Sequence, residues 1–188
     1  MSDDKKTSKN NPQADQEQAP LGQMPITVHT QYIRDVSFEN PNAPGAMRGG
    51  QSAPEMEVNI NTEARNLEND DIPNLFEVAL IISATARRDD DVVFIAEIVY
   101  GVTVSIGAEV PEEHHHPILF IEVPRLAFPF ARQILANLTI QGGYPPLLIN
   151  PVDFQALYYQ RFKDQIDKAN KDGAAEENNE KEAEKTIN

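Results

Sequence analysis

Apolar and polar residues alternate through the first half of the chain, and from about residue 128 the apolar ones recur at helical spacing. Ile26, Val28, Thr30 and Tyr32 alternate on one face; the pattern breaks near Ile33 and resumes at Val36 and Phe38, which predicts a strand with a bulge or break there. Residues 41–54 hold Pro41, Pro44, Gly45, Gly49, Gly50 and Pro54 and read as an irregular loop. Met56, Val58 and Ile60 resume the alternation. Segments 75–87 and 92–106 give the strongest signal, with Arg87-Arg88-Asp89-Asp90-Asp91 as a polar turn between them. Their even parity is apolar from Phe76 to Ala86 and from Val92 to Ile106. Their odd parity is mixed, with Glu77 and Glu97 among apolar residues, and is expected to keep its carboxylates hydrated.

Pro129 suits the first turn of a helix, and Phe130, Ile134, Leu135 and Leu138 form a stripe ending before Gly142-Gly143. A second helix is expected with Asn150 as cap, Pro151 at its first position and Asp153 facing the dipole. Phe154, Leu157, Tyr158 and Phe162 make its apolar face. Four strands followed by two helices predict an α+β fold, a four-stranded antiparallel sheet with two C-terminal helices. Two helices cover one sheet face only in part, so contiguous apolar surface is left over, the mark of a partner interface.

Residues 1–24 are polar and expected to form a disordered N-terminal tail, 25–168 the folded domain, and 169–188 an acidic flexible C-terminal tail. Lys and Arg number 16 against 30 Asp and Glu, for a net charge of −14. That balance argues against nucleic acid, whose phosphates need cations, and against anionic lipid. No apolar run suits membrane insertion and the N-terminus has no secretion signal, so the expected location is cytoplasmic. The absence of Cys excludes disulfides, thiolate nucleophiles and Cys-based metal sites.

Glu112-Glu113-His114-His115-His116 is the one stretch with metal or acid–base character. Adjacent ligands rarely converge on one centre, so it reads as a solvated loop tip, with no metal and no cofactor. Asp89-Asp90-Asp91 lacks the spacing of a calcium loop, and neither Gly-Gly pair has phosphate-loop context. No catalytic constellation emerges, and the chain is not expected to be an enzyme.

Three blocks resemble the SecB family of bacterial protein-export chaperones: Asp35-Val36-Ser37-Phe38-Glu39-Asn40-Pro41-Asn42-Ala43-Pro44, Phe128-Pro129-Phe130-Ala131-Arg132, and the run from Gly143-Tyr144-Pro145-Pro146 to Asn150-Pro151-Val152-Asp153-Phe154-Gln155-Ala156-Leu157-Tyr158. The likeness spans roughly 26–165, with Met47, Phe130 and Gln133 departing from the family pattern. It implies a homotetramer, a dimer of dimers, working as an ATP-independent holdase. Such a protein binds non-native precursors, keeps them translocation-competent and passes them to the motor ATPase SecA.

Met47, Leu75, Phe76, Val78, Phe94 and Leu126 are then candidate lining of a client groove, with ordinary core as the competing reading for each. Asp35, Glu39, Ile95 and Glu97 match positions that face SecA. Phe130, Ile134 and Leu138, with strand 26–38, are the expected subunit contacts. The alternative reading is a structural or adaptor homo-oligomer that binds no client.

Overall fold

Strict alternation on the hairpin segments produces β3 (Leu75–Arg88) and β4 (Asp91–Ile106), which pair antiparallel and turn at Asp89 and Asp90. These come from a computed structural model that describes residues 25–163. The tails expected at 1–24 and 169–188, and the end of the 25–168 domain, lie outside the described residues. β1 (Ile26–Glu39) pairs with β4, and β2 (Glu55–Asn66) with β3, giving an antiparallel sheet in the order β1-β4-β3-β2. The two most apolar strands occupy the centre, where both neighbours are strands.

β1 carries two irregularities, between Val28 and Thr30 and between Ile33 and Asp35. The second is the expected break. The first corrects the reading of Ile26, Val28, Thr30 and Tyr32 as one face. Val28 pairs with Val104 and Thr30 with Thr103, so the extra residue turns Thr30 and Tyr32 to the opposite side. The second bulge reverses this, and Val36 and Phe38 return to the face of Ile26 and Val28, opposite Ile98 and Ala96.

The helical part starts earlier than expected. A 3-10 turn (Glu112–His114), α1 (His115–Pro117), a π turn (Ile118–Glu122) and α2 (Val123–Gln141) follow one another without a break. Pro129 is therefore inside α2, not in its first turn. It lacks the N–H that would bond the Arg125 carbonyl, so α2 gives up one backbone hydrogen bond at that turn. The glycine stop is as expected. Tyr144 N–H bonds the Thr139 carbonyl at 2.9 Å and Gly143 N–H the Ile140 carbonyl at 3.0 Å. Gly143 takes φ +88°, the left-handed conformation that this ending requires.

The last helix, α3, spans described residues 154–163. Its cap is Asp153 rather than Asn150: Asp153 Oδ1 accepts the Ala156 N–H at 2.9 Å. Residues 151–153 are not helical, because Pro151 and Val152 continue the extended approach from Pro145-Pro146.

α2 lies across one face of the sheet, on β3 and β4, and the core forms between them. Leu80, Ile82, Ile98, Ala131 and Leu135 are fully buried there. Each large apolar side chain among them contributes about 1.5–3 kcal/mol by leaving water. Among the described residues, no helix lies over the opposite face.

Candidate functional site

β2 is an edge strand whose even-numbered residues face the helices, and two clefts open along it, the first mainly apolar and the second with Asn61, Thr62, Gln160 and Arg161 among its aromatic lining. The first, of about 510 Å³, is lined by Met47, Met56, Phe94, Tyr144, Pro146 and Leu147 among others. Its aromatic wall is continuous: the Phe94 and Tyr144 rings lie 5.0 Å apart, and Phe38 stacks on Phe94 at 5.6 Å. The Tyr144 hydroxyl donates to Asn40 Oδ1 at 2.8 Å, which satisfies the ring's polar end. Met47 packs on Gly143, where a Cβ would meet its Cε at 2.8 Å. The second cleft, of about 370 Å³, lies between Ile60, Phe120, Phe154, Leu157, Tyr158 and Phe162. Met56 and Ile60 are four residues apart on one face of β2, so the clefts are about 13 Å apart along the outer edge of the sheet, where no strand pairs with β2 among the described residues.

His116 stands at the aromatic side of the second cleft. Its ring is 4.6 Å from Phe120 and 4.7 Å from Phe162, and its Nδ1 meets the Tyr158 hydroxyl at 2.9 Å. Burial and the nearby Arg161 guanidinium hold its pKa below the usual histidine range. Burial raises that of the Tyr158 hydroxyl. Arg161 lies over Phe120 and Phe162 and donates to Asn61 Oδ1 and the Thr62 carbonyl, fastening α3 to β2. His115 is buried, with Nε2 3.1 Å from the Val110 carbonyl. The histidine stretch is thus a helix start rather than the loop tip expected: His115 is buried, while Glu112, Glu113, His114 and His116 stay exposed as a solvated stretch would. Phe76 and Phe120 supply the apolar neighbours that a polar sequence run gives no sign of. Among the described residues, no group of three or more His, Asp or Glu side chains is arranged to hold a metal ion.

The uncovered sheet face carries the carboxylates. Asp35, Ser37 and Glu39 point outward on β1 opposite Val99, Glu97 and Ile95, so Glu97 faces Ser37 with Asp35 and Glu39 on either side. Asp35, Glu39 and Glu97 are exposed and Ile95 half-buried beside them. Glu77, on the same parity as Glu97, corrects the expectation of hydrated carboxylates: it is 3% exposed. Tyr32 reaches over Gly101 to donate its hydroxyl to Glu77 Oε1, and Arg65 on β2 donates Nε to Oε2. The Tyr32 bond, with Arg65 assisting, holds the Glu77 carboxyl below its ordinary range against the opposing effect of burial. The same bond raises the Tyr32 hydroxyl.

A family model, "SecB: Preprotein translocase subunit SecB", matches residues 16–165. Among curated relatives, the protein-export protein SecB of Agrobacterium fabrum is 45% identical over 144 residues, 77% of this chain and 87% of its own. Its namesake in Caulobacter vibrioides is 43% identical over 150 residues, 80% of this chain and 89% of that one. The chain belongs to the SecB family. A solved SecB-like chaperone of Mycobacterium tuberculosis, in complex with a peptide from an antitoxin, shares the fold at TM-score 0.53 and 12% identity, covering 68% of this chain and 87% of that one.

Within this SecB fold the candidate residues separate. Met47 and Phe94 meet at the first cleft, although Phe94 is 4% exposed and presents little more than an edge. Val78 is 1% exposed and belongs to the core beneath the helices, not to a surface. Phe76 packs at the far end of the same face, against His115, and Leu126 is half-buried on α2. Leu75 is on the opposite face, because its odd parity points away from the helices. Phe130 is 47% exposed and stacks on Tyr100 at 6.2 Å, while Ile134 and Leu138 are half-buried against the core. Met56, Tyr144, Leu147, Phe120 and Phe162 were missed as lining. Only Phe162 had a signal, the aromatic stripe of α3, and that stripe needs a partner strand to become a cleft.

Proposed function

We propose that the chain is an ATP-independent holdase of protein export, which binds non-native precursors and delivers them to the SecA motor in the cytoplasm without catalysing a reaction. Membership of the SecB family carries this reading. The two clefts give it a physical form. An extended client lays alternate side chains into them while its backbone meets the β2 edge between them, so affinity depends little on sequence. Met47 and Met56 adapt to varied side chains because the thioether is flexible and polarisable. Apolar burial at about 25 cal/mol per Å² supplies the drive.

The same reading assigns the outer carboxylates Asp35, Glu39 and Glu97, with Ile95, to the motor. It assigns Phe130, Ile134, Leu138 and β1 to the subunit contacts of a homotetramer. Tyr32, Ile33, Val36 and Phe130 are large apolar side chains left more than a third exposed on one protomer, which supports a closed assembly. A titration of the purified oligomer with an unfolded, reduced polypeptide tests the holdase reading. Saturable binding is expected; an oligomer that binds none is a structural adaptor.

A further inference from the structure

Loop 40–54 forms one wall of the first cleft, yet its composition gives it little reason to hold a shape. Three prolines, three glycines and one 3-10 turn (Gly45–Met47) make it up, and its internal backbone bonds are all local. Gly49 and Gly50 have open space around them. Its stiffening comes from outside. Asn42 donates Nδ2 to the Val92 carbonyl at 2.9 Å and anchors the first part. Beyond Asn42, Arg88 at the end of β3 makes the contacts. Its Nε donates to the Ser52 carbonyl at 2.8 Å, and its Nη1 to the Ala46 carbonyl at 3.2 Å and to Gln51 Oε1. Gln51 Nε2 in turn reaches the Gly45 carbonyl at 3.3 Å, so the guanidinium ties both ends of segment 45–52. Arg88 has the parity of Ala86, whose partner is Phe94, and leaves the sheet on the cleft side. The three acceptors are met from two nitrogens of one planar fork; a lysine carries all its donors on a single nitrogen.

We propose that Arg88 is the positioning residue of this cleft: by clamping segment 45–52 to the β3–β4 turn, it holds Met47 on Gly143 and keeps the wall that clients bind already formed. The inference rests on reading the cleft as the client site. Without the clamp, the loop's ordering has to be supplied at each binding event, which weakens affinity without touching the fold.

The test uses the full-length oligomer and reduced, carboxymethylated lysozyme as an unfolded client. In Arg88→Ala, amide exchange in residues 45–52 is expected to accelerate about tenfold. The client Kd is expected to rise about tenfold, with helix content, thermal midpoint and oligomer mass unchanged. Arg88→Lys falls between the two. Exchange and affinity both at the wild-type level in Arg88→Ala would overturn the proposal, as would faster exchange with unchanged affinity. If Arg88→Ala does not fold, Gln51→Ala, which alters only the loop, is judged by the same pair of readouts. If the wild type itself fails to bind the lysozyme, the client-site reading falls and this proposal with it. The exchange of 45–52 in Arg88→Ala then still shows separately whether the clamp exists.

Discussion

Glu77 and Glu97 share the outward parity of one hairpin, but Glu77 is buried and Glu97 is exposed. The difference is Tyr32, which arrives from β1 because β1 pairs with β4 and because a bulge turns it outward. Periodicity along the hairpin cannot show this, since the cause sits in another strand whose neighbour was not legible. The parity itself was legible; Asp35, Glu39 and Glu97 were grouped only through the family resemblance, and their meeting depends on the β1–β4 pairing. Gly101 lets the Tyr32 ring pass; a Cβ there would meet Tyr32 Cζ at 2.7 Å. Tyr32→Phe and Gly101→Ala are each expected to cost about 1–3 kcal/mol by leaving Glu77 short of a partner. Because both act on one bond, the double variant should cost clearly less than the sum, as chemical denaturation of the four proteins would show. Glu77 also carries a pH dependence. Its carboxyl is held below 4.5, so its stabilisation is complete above that value and is lost as pH falls through the lower folded value. Glu77→Gln should be less stable at neutral pH and should lose less on acidification.

Helical elements were legible where the 3.6-residue stripe is unbroken and sharply ended, as in α2 up to Gly142-Gly143 and in the aromatic face of α3. The run from 112 to 122 was not, because Pro117, a π turn and three histidines interrupt the period before α2 begins. Packing overrides the local signal there: His115 and His116 sit against aromatic rings from β3 and α3. His116 faces Tyr158 and Arg161 from α3, and its pKa lies below 6.5. The folded state therefore favours the neutral ring. Its contribution to α3 docking is complete above 6.5 and fades as pH falls below that value toward the folded one. Amide exchange of residues 154–163 is expected to quicken between pH 7.5 and 5.5 in the wild type. In His116→Phe, which keeps the aromatic contacts without the charge, it should stay level apart from the intrinsic pH effect.

At the scale of the whole molecule, the α+β plan was legible from alternating segments followed by helical stripes, and the family from three sequence blocks in the right order. Strand order and the two clefts were not, since both depend on which strands meet. The apolar surface that two helices leave over is present on one protomer at Ile33, Val36 and Phe130. If it closes a homotetramer, Ile134→Glu or Leu138→Glu buries a charge at the contact, and light scattering should find dimers or monomers. Glu97→Lys should weaken SecA binding severely and leave assembly and client binding intact. If Asp35, Glu39 and Glu97 face the motor as proposed, the wild-type affinity for SecA should also fall with added salt, as pairing between exposed charges does. The central claim is that the clefts hold non-native chains. Its most direct measurement is the aggregation of a chemically denatured precursor, diluted into buffer without ATP, in the presence of a stoichiometric amount of the purified protein. Light scattering that stays low, with the precursor recovered in a complex of defined mass, is the predicted result; scattering that rises as fast as with no protein added would contradict it.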